Sequence, residues 1–374
     1  MLFPYHFMVV MVLSTLVYPV EVLAQDKASD INELITKTLE YQEFNGSVLV
    51  AEKGKVIYKK GMGYANMDWK IPNKPDTKFR IGSMTKQFTA MLIMQLVEEG
   101  KIELDGKLTD YLPKYRDDTG DKITIHHLLT HTSGIPLFTS LPGFKSDSIR
   151  IPYPQDYMVY HYLSGDLLFE PGSKRYYSNV YYLLAVIVEK VTGKSYRENL
   201  QERILKPLKM YNTGTDRNEE ILENRASGYI KDSMGYKNTH HRIFMPNALG
   251  DGNMYTTVED LFLWDQALYT EQLLSEEYKN IMFTPFLDNY AYGWKVFEVG
   301  LSEPSDSVNV IWHGGGLFGF SGIIIRFVGD KHLVVVLLNN TGSFRLSVTS
   351  GLCREITNIL YDRPFQLPEN QLQK

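Results

Sequence analysis

Strand-like sequence at both ends of the chain constrains the fold most. Near the N-terminus, GSVLVAEKGKVIYKKGMGYANMD (46–68) places two β-branched runs on either side of Gly54, as in a β-hairpin. Near the C-terminus, three runs rich in valine and isoleucine are separated by glycine and aspartate turns: NVIWHGG (309–315), FSGIIIRFVG (320–329) and KHLVVVLLNN (331–340). The two blocks predict one sheet that is built from both ends of the chain.

The region between these blocks is predicted to be mostly helical, up to about residue 250. Residues 83–99 form the clearest helix, because apolar side chains recur at helical spacing before Gly100: Phe88, Met91, Leu92 and Leu96. Further helices are predicted at 31–41 and at about 343–360. With no internal repeat, residues 25–374 are predicted to form a single domain with a helical insertion at about 83–250.

Residues 1–24 are predicted to be a signal peptide. The apolar block Met8–Val20 is shorter than the roughly 20 residues that span a bilayer. Val22 and Ala24 occupy the small-residue positions of a cleavage site, so the mature chain is predicted to start at Gln25, without a stable membrane span. Cleavage implies export to the periplasm or the extracellular space. The n-region MLFPYHF carries no Lys or Arg, which leaves an uncleaved N-terminal anchor as the alternative.

Composition narrows the class of partner. The 374 residues are 44% hydrophobic and 22% charged, which is typical of globular proteins. The net charge of -5 leaves no basic stripe that could neutralise phosphates, so no nucleic-acid partner is expected. The single cysteine, Cys353, has no partner for an intramolecular disulfide and is predicted to be a small core residue.

The stretch FRIGSMTKQF (79–88) places Ser83 three residues before Lys86. If a helix begins there, both side chains lie on one face and the amine can reach the hydroxyl. A serine becomes a nucleophile when a base takes its proton, and a lysine can do so only if its pKa falls from about 10.4 toward neutrality. The unpaired N–H groups of the helix start favour an oxyanion. Alternatively, Ser83 is only an N-cap beside an exposed lysine.

Tyr177 and Asn179 lie in FEPGSKRYYSNVYYLLAVIVEKVTG (169–193), on a loop that enters an apolar helix ending at Gly193. From such a loop, a phenol and an amide can project into a cleft, where the phenol would relay protons. Core packing is the alternative for a tyrosine. The Tyr-x-Asn pattern alone does not select this pair, because it also begins at three other tyrosines: Tyr64, Tyr236 and Tyr278.

A third group of candidates follows a predicted strand in NVIWHGGGLFGFSGIIIRF. His313 precedes Gly314, Gly315 and Gly316. Glycines at a strand end allow a substrate to approach the backbone closely, and successive N–H groups can stabilise developing negative charge. The alternative is a glycine hairpin with a surface histidine.

Taken together, these motifs resemble the serine β-lactamase-like superfamily, in the branch of class C β-lactamases, serine D-alanyl-D-alanine carboxypeptidases, D-aminopeptidases and related esterases. Other similar stretches are ITIHHLLTHTSGIP, ILKPLKMYNTGT and GDGNMYTTVEDLFLW, so the resemblance extends over about 46–339. It implies an α/β (α+β) fold, in which an antiparallel sheet from the N- and C-terminal segments is flanked by helices and carries a mostly helical insertion. It implies no cofactor.

The resemblance also assigns roles to the first two motifs. In such proteins the serine of Ser-x-x-Lys is acylated, which here is Ser83, and the lysine, here Lys86, shares the role of general base. Tyr177 is similar to the proton shuttle, and Asn179 is similar to the ligand of the substrate amide. The chain is therefore predicted to be a serine hydrolase that cleaves an ester or amide through an acyl-enzyme.

The third motif differs from that of the β-lactamases. His313, Gly314 and Gly315 stand where class C enzymes have Lys-Thr-Gly, and the backbone N–H groups of Ser83 and Gly316 would form the oxyanion hole. A histidine is largely neutral at pH 7 and supplies no fixed positive charge near the substrate carboxylate. A histidine at this position is similar to carboxypeptidase and esterase members of the superfamily. Expected substrates are therefore a D-alanyl peptide, a D-amino-acid amide or a small ester. The alternatives are a β-lactamase proper, and a penicillin-binding or sensory module that acylates without turnover.

No metal site is predicted. His127 and His131 have the i, i+4 spacing of a helical zinc pair, with His126 beside them, but no glutamate or third ligand accompanies them. The stretch that contains them also resembles a structural segment of the superfamily. Gly-x-Ser-x-Gly is missing from the sequence, which excludes an α/β-hydrolase nucleophile elbow.

Overall fold

The computed structural model describes residues 20–42, 44–141, 146–232, 234–239, 243–300, 307–341 and 347–369. Its α-helices are α1 (Val20–Gln42), α2 (Thr85–Glu98), α3 (Leu108–Tyr111), α4 (Asp117–Gly120), α5 (Ile125–Leu129), α6 (Gln155–Tyr157), α7 (Tyr181–Thr192), α8 (Tyr196–Leu200), α9 (Lys206–Leu208), α10 (Val258–Ala267), α11 (Glu276–Phe283) and α12 (Ser347–Leu360). Tighter 3₁₀ turns occur at Gly82–Met84, Phe138–Ser140, Ser146–Arg150, Met245–Ala248 and Leu287–Asn289. Met158–Tyr162 and Gln201–Leu205 are π-helical.

The strands are β1 (Gly46–Glu52), β2 (Lys55–Met62), β3 (Tyr64–Asn66), β4 (Ile71–Pro72), β5 (Phe79–Arg80), β6 (Gly214–Thr215), β7 (Tyr229–Asp232), β8 (Gly235–Asn238), β9 (Met254–Thr256), β10 (Lys295–Gly300), β11 (Ser307–Leu317), β12 (Phe320–Phe327), β13 (His332–Leu338) and β14 (Asn340–Thr341). Six of them form the main sheet in the order β10-β11-β12-β13-β1-β2, and every neighbouring pair is antiparallel. The predicted α/β (α+β) fold with an antiparallel sheet is thereby confirmed.

The two ends of the chain meet where β1 pairs with β13, from Gly46 opposite Leu338 to Ala51 opposite Leu333. On β13, successive side chains lie on opposite faces of the sheet, as in any β-strand. Val335 belongs to the large core beneath the helical region, whereas Val334 and Val336 belong to a smaller core on the opposite face. Residues of α1 and α12, including the predicted core residue Cys353, complete that smaller core.

The inserted region carries most of the described helices, as predicted, together with short strands that the sequence did not predict. Within the insertion, β6 joins β5 and β9 from its two flanks in the sheet β5-β9-β6, and β7 and β8 form another sheet with β14. Each of these strands is two to four residues long, which is too short to produce a recognisable alternation of apolar and polar residues. The sheet β5-β9-β6 positions Ser83, because β5 ends three residues before it.

The predicted leader falls mostly on residues 1–19, which lie outside the described residues. The signal peptide, its cleavage before Gln25 and export therefore stay predictions. None of the helices within the described ranges combines the length and the apolar character needed to cross a bilayer.

Candidate active site

The segment that carries Ser83 is held between the small sheet and the main sheet. β5 pairs with β9, and the chain then turns through the 3₁₀ segment Gly82–Met84 into α2. Gly82 has a φ of +50°, and a Cβ placed on it would lie 2.6 Å from the carbonyl oxygen of Gly316. Only glycine allows this turn to lie so close to β11. Ser83 therefore sits at the start of α2, beside the glycine-rich part of β11.

Beside this turn, residues 313–317 of β11 form a free edge, with which none of the described strands pairs. Its pairing with β10 ends at Trp312, opposite Lys295, whereas residues 313–317 continue to pair with β12 on the other side. A Cβ on Gly315 would lie 1.8 Å from the carbonyl oxygen of Ile81, so the strand contacts the Ser83 turn through bare backbone. Ser83 and Gly316, predicted to supply the oxyanion hole, thus lie on two adjoining backbone segments.

Lys86 lies beside Ser83, as the sequence predicted. Its Nζ donates a hydrogen bond to Ser83 Oγ at 3.2 Å and another to the backbone oxygen of Asp251 at 2.9 Å. Asp251 Oδ1 is also 2.9 Å from Nζ, in an ion pair that lacks the alignment of a hydrogen bond. The lysine side chain is only 1% exposed. Ser83 and Lys86 are therefore in direct contact, and Asp251 contacts the lysine.

The charge state of Lys86 differs from the expectation. A lysine base was expected to need a lowered pKa, and burial does act in that direction. The attraction of Asp251 and the contact with Tyr177 outweigh burial and raise the pKa of Lys86 above its ordinary value. At neutral pH the resting site therefore holds an ammonium group against Ser83.

Asn179 is linked to Lys86 through Asp251. The Asn179 amide donates from Nδ2 to Asp251 Oδ2 at 2.9 Å. This direction is fixed chemically, because the opposite amide orientation would place two oxygens against each other. Asp251 is 8% exposed, and its two carboxylate oxygens thus contact a lysine and an amide. Sequence reasoning missed Asp251; its only local signal is an acidic residue between two glycines in the stretch GDGN.

Tyr177 is brought to the site by the loop before α7, and its ring centroid is 4.9 Å from Lys86 Nζ. The Tyr177 ring also packs on the ring of His131, with centroids 4.3 Å apart. His131 has a left-handed φ of 59° and accepts a hydrogen bond at Nδ1 from the N–H of Ser178 at 3.4 Å. Burial lowers the pKa of His131 well below its usual range, which keeps the ring neutral. His131 thus supports the Tyr177 loop, a role that sequence reasoning did not assign.

His313 is buried at the start of the free edge. Its Nδ1 lies 2.6 Å from the carbonyl oxygen of Gly314, so Nδ1 must carry the hydrogen. Nε2 therefore accepts the hydroxyl hydrogen of Tyr290, at 3.1 Å. Burial and the nearby Lys86 lower the pKa of His313 to about 3. Both ring nitrogens are engaged within the protein, and the binding of substrate by His313 stays a prediction.

This low pKa predicts a measurable dependence of stability on pH. Below about pH 6.5 the unfolded chain protonates His313 and the folded chain does not, so stability is lost as the pH falls toward about 3. Replacing His313 with glutamine should reduce the slope of unfolding free energy against pH by up to about 1.4 kcal/mol per pH unit between pH 6 and pH 4. Urea unfolding at several pH values measures both slopes, and equal slopes would contradict the assignment. Between pH 7 and pH 8 the slopes should agree.

His126 and His127, which the sequence analysis considered as metal ligands, make hydrogen bonds within the protein. His126 Nδ1 contacts Tyr292 Oη at 2.7 Å, and His127 accepts from the backbone N–H of Thr124 at 3.2 Å. Within the described ranges, no group of three or more His, Cys, Asp or Glu side chains is arranged to hold a metal ion. These two histidines instead serve local structure around α5.

Comparison with known proteins gives consistent matches along the chain. The family model for Beta-lactamase matches residues 31–348. Penicillin-binding protein 4* of Bacillus subtilis (strain 168) is 31% identical over 373 residues, which cover 94% of this chain and 80% of that protein. The octameric penicillin-binding protein homologue from Pyrococcus abyssi superposes with a TM-score of 0.78 at 28% identity, over 90% of this chain and 77% of the other. A D-stereospecific amidohydrolase from Streptomyces sp. superposes with a TM-score of 0.70 at 25% identity, over 89% and 98% respectively.

These matches establish the family, whereas the roles of the site residues stay predictions. Ser83 contacts Lys86, the Tyr177 ring lies beside Lys86, and Asn179 is linked to Lys86 through Asp251, although Tyr177, Asn179 and Asp251 lie far from Lys86 in sequence. The family match spans most of the chain, and the relative from Bacillus subtilis matches nearly all of it. The chain therefore belongs to the beta-lactamase family, within the serine β-lactamase-like superfamily that also contains penicillin-binding proteins.

Proposed function

We propose that this protein is a serine hydrolase that cleaves an ester or amide through an acyl-enzyme on Ser83. One observation carries the proposal: Ser83 Oγ lies 3.2 Å from Lys86 Nζ, at a turn that abuts the free edge of β11. An extended substrate can pair with such an edge, which would bring its carbonyl carbon to Ser83. The backbone N–H groups of Ser83 and Gly316 would then stabilise the oxyanion.

The residues at the site can supply every proton transfer that the proposed reaction needs. Ser83 Oγ attacks the carbonyl carbon while its proton passes to Tyr177 Oη, and Tyr177 gives its own hydroxyl proton to the leaving nitrogen or oxygen. The Lys86 ammonium, which contacts Ser83 Oγ, stabilises the negative charge that develops there. Water then enters, loses a proton along the same route and releases the acyl group, which restores the Ser83 hydroxyl.

The substrate class follows from what the site offers for recognition. His313 is neutral and both its ring nitrogens are engaged, so it supplies no fixed positive charge for the carboxylate of a β-lactam. The similar Streptomyces protein is described as a D-stereospecific amidohydrolase. The first observation favours substrates that are not bound through a carboxylate, such as an amide of a D-amino acid or a small ester, over a β-lactam. The second supports a D-configured substrate, which is either a D-amino-acid amide or a D-alanyl peptide.

A substrate panel tests this function. It comprises a D-alanyl-D-alanine peptide, a D-amino-acid amide with its L-enantiomer as the matched control, a p-nitrophenyl ester and nitrocefin. We expect steady product release from the D-amide, the peptide or the ester, with a transient mass increase on Ser83. Fastest turnover of nitrocefin would instead identify a β-lactamase. A permanent penicillin adduct without turnover of any substrate would identify a sensory module.

Removal of the Tyr177 hydroxyl tests its role as the proton relay. We expect Tyr177→Phe to lower kcat by about 10²- to 10⁴-fold, because the ring keeps its packing on His131 while the relay is lost. Steady-state kinetics on the best substrate measures the loss. Tyr176→Phe is the matched control, since the neighbouring tyrosine is equally exposed at 37% against 38%. A loss of similar size in both variants would contradict a specific role for Tyr177.

A further inference from the structure

Asp251 is the charged group of the site that none of the three predicted motifs contains. Its backbone oxygen and Oδ1 each lie 2.9 Å from Lys86 Nζ, and its Oδ2 lies 2.9 Å from Asn179 Nδ2. One residue therefore touches the lysine twice and the amide once. The lysine and Asp251 are 165 positions apart in sequence, so this contact is a product of the fold.

The backbone around Asp251 fixes these contacts. Gly250 has a φ of +62°, and a Cβ on it would lie 2.4 Å from Ala185 Cβ. The carbonyl of Gly250 accepts the Thr89 hydroxyl at 2.7 Å, and its N–H donates to Asn253 Oδ1 at 3.1 Å. Thr89 lies on α2, one turn after Lys86, so the same helix anchors both sides of the ion pair. The Asp251 carboxylate is thereby held at a set position.

The surroundings of Lys86 and Asp251 favour the charged form of both side chains. A carboxylate that is 8% exposed is costly unless a cation compensates it, and Lys86 is the cation that the described residues supply. Two tyrosine rings, those of Tyr177 and Tyr181, face Nζ at 4.9 and 5.8 Å, and cation–π attraction favours the charged form. The neighbouring His131 and His313 are buried and neutral, so they do not compete for Asp251.

We propose that Asp251 is a positioning residue that holds the Lys86 ammonium against Ser83 and fixes the Asn179 amide beside it. The proposal rests on the serine hydrolase function stated above. Lys86 would then assist the reaction through its positive charge and its hydrogen bond to Ser83 Oγ, not by removing the serine proton as a neutral amine. The raised pKa of Lys86 agrees with this role.

The Asp251→Asn variant tests the proposal, because it keeps the shape of the side chain and removes its charge. We expect kcat/KM at pH 7 to fall by about 10- to 100-fold, as for the loss of a charge-assisted contact. Burial would then lower the pKa of Lys86, so the loss of activity at alkaline pH should begin at a lower pH than in the wild type. Asp260→Asn is the matched control, since Asp260 is also buried but contacts Asn212 and Thr213 instead of Lys86.

A second readout does not depend on turnover. NMR of protein labelled with ¹³C at the lysine ε-carbons follows the titration of Lys86, whose signal is assigned by its disappearance in Lys86→Met. We expect Lys86 to titrate at a lower pH in Asp251→Asn than in the wild type and in Asp260→Asn. Unchanged titration, an unchanged pH profile of kcat/KM, or faster turnover at neutral pH would each overturn the proposal. If the wild type forms no acyl adduct on Ser83, the hydrolase function fails, and the titration still decides the role of Asp251.

Discussion

The Ser83→Ala variant should lose turnover of every substrate by about 10³-fold or more, and it should form no acyl adduct. The variant removes the only atom that bonds to the acyl group, while the Lys86 ammonium keeps its two contacts with Asp251. The turn that carries Ser83 depends on the backbone of Gly82, so folding should change little. Kinetics and intact-mass analysis after incubation with a p-nitrophenyl ester measure both losses.

Ser275→Ala provides the matched control for this variant. Ser275 begins α11 without a side-chain hydrogen bond to the helix, so its loss should change neither turnover nor the melting temperature by much. If Ser83→Ala still released product at the wild-type rate while the control behaved normally, Ser83 could not be the nucleophile. The hydrolase proposal would then fail for every substrate at once, whatever the residual activity of other variants.

The contact between Ser83 and Lys86 was predictable because it is local. A spacing of three residues at a helix start brings the two side chains together whatever the rest of the chain does. Tyr177 and Asn179 could be selected among several Tyr-x-Asn patterns only through the resemblance to a superfamily. The main sheet was predictable for a similar reason, since its long strands carry clear valine and isoleucine runs whereas two-residue strands such as β5 carry none.

The electrostatics of the site could not be predicted from sequence. Nothing local links Asp251 to a lysine 165 positions earlier, and without that carboxylate burial alone would give the opposite direction for the pKa of Lys86. His313 shows the same limit. Its residue type predicts a largely neutral ring at pH 7, but the lowering of its pKa to about 3 follows from burial and from Lys86, which only the fold brings near.

The Gly315→Ala variant should lower kcat by about 10²- to 10³-fold and destabilise the fold by about 1–3 kcal/mol. The added Cβ would lie 1.8 Å from the carbonyl oxygen of Ile81, far inside van der Waals contact with backbone that cannot rotate away. β11 must therefore move from the Ser83 turn, and the N–H of Gly316 moves with it. Because that N–H is proposed to bind the oxyanion, catalysis should suffer more than ground-state binding, so kcat should fall more than KM rises.

Gly316→Ala is the control variant. It shows whether any added side chain on this part of β11 destabilises the protein, or only one that clashes with Ile81. A Cβ on Gly316 would meet no atom within 4 Å, and the substitution keeps the backbone N–H. The melting temperature of Gly316→Ala should therefore stay near that of the wild type, whereas that of Gly315→Ala should fall. Equal melting temperatures in the two variants would show that β11 is not held against the Ser83 turn by bare backbone. An unchanged kcat in Gly315→Ala would show that the close contact of Gly315 with Ile81 does not position the oxyanion hole.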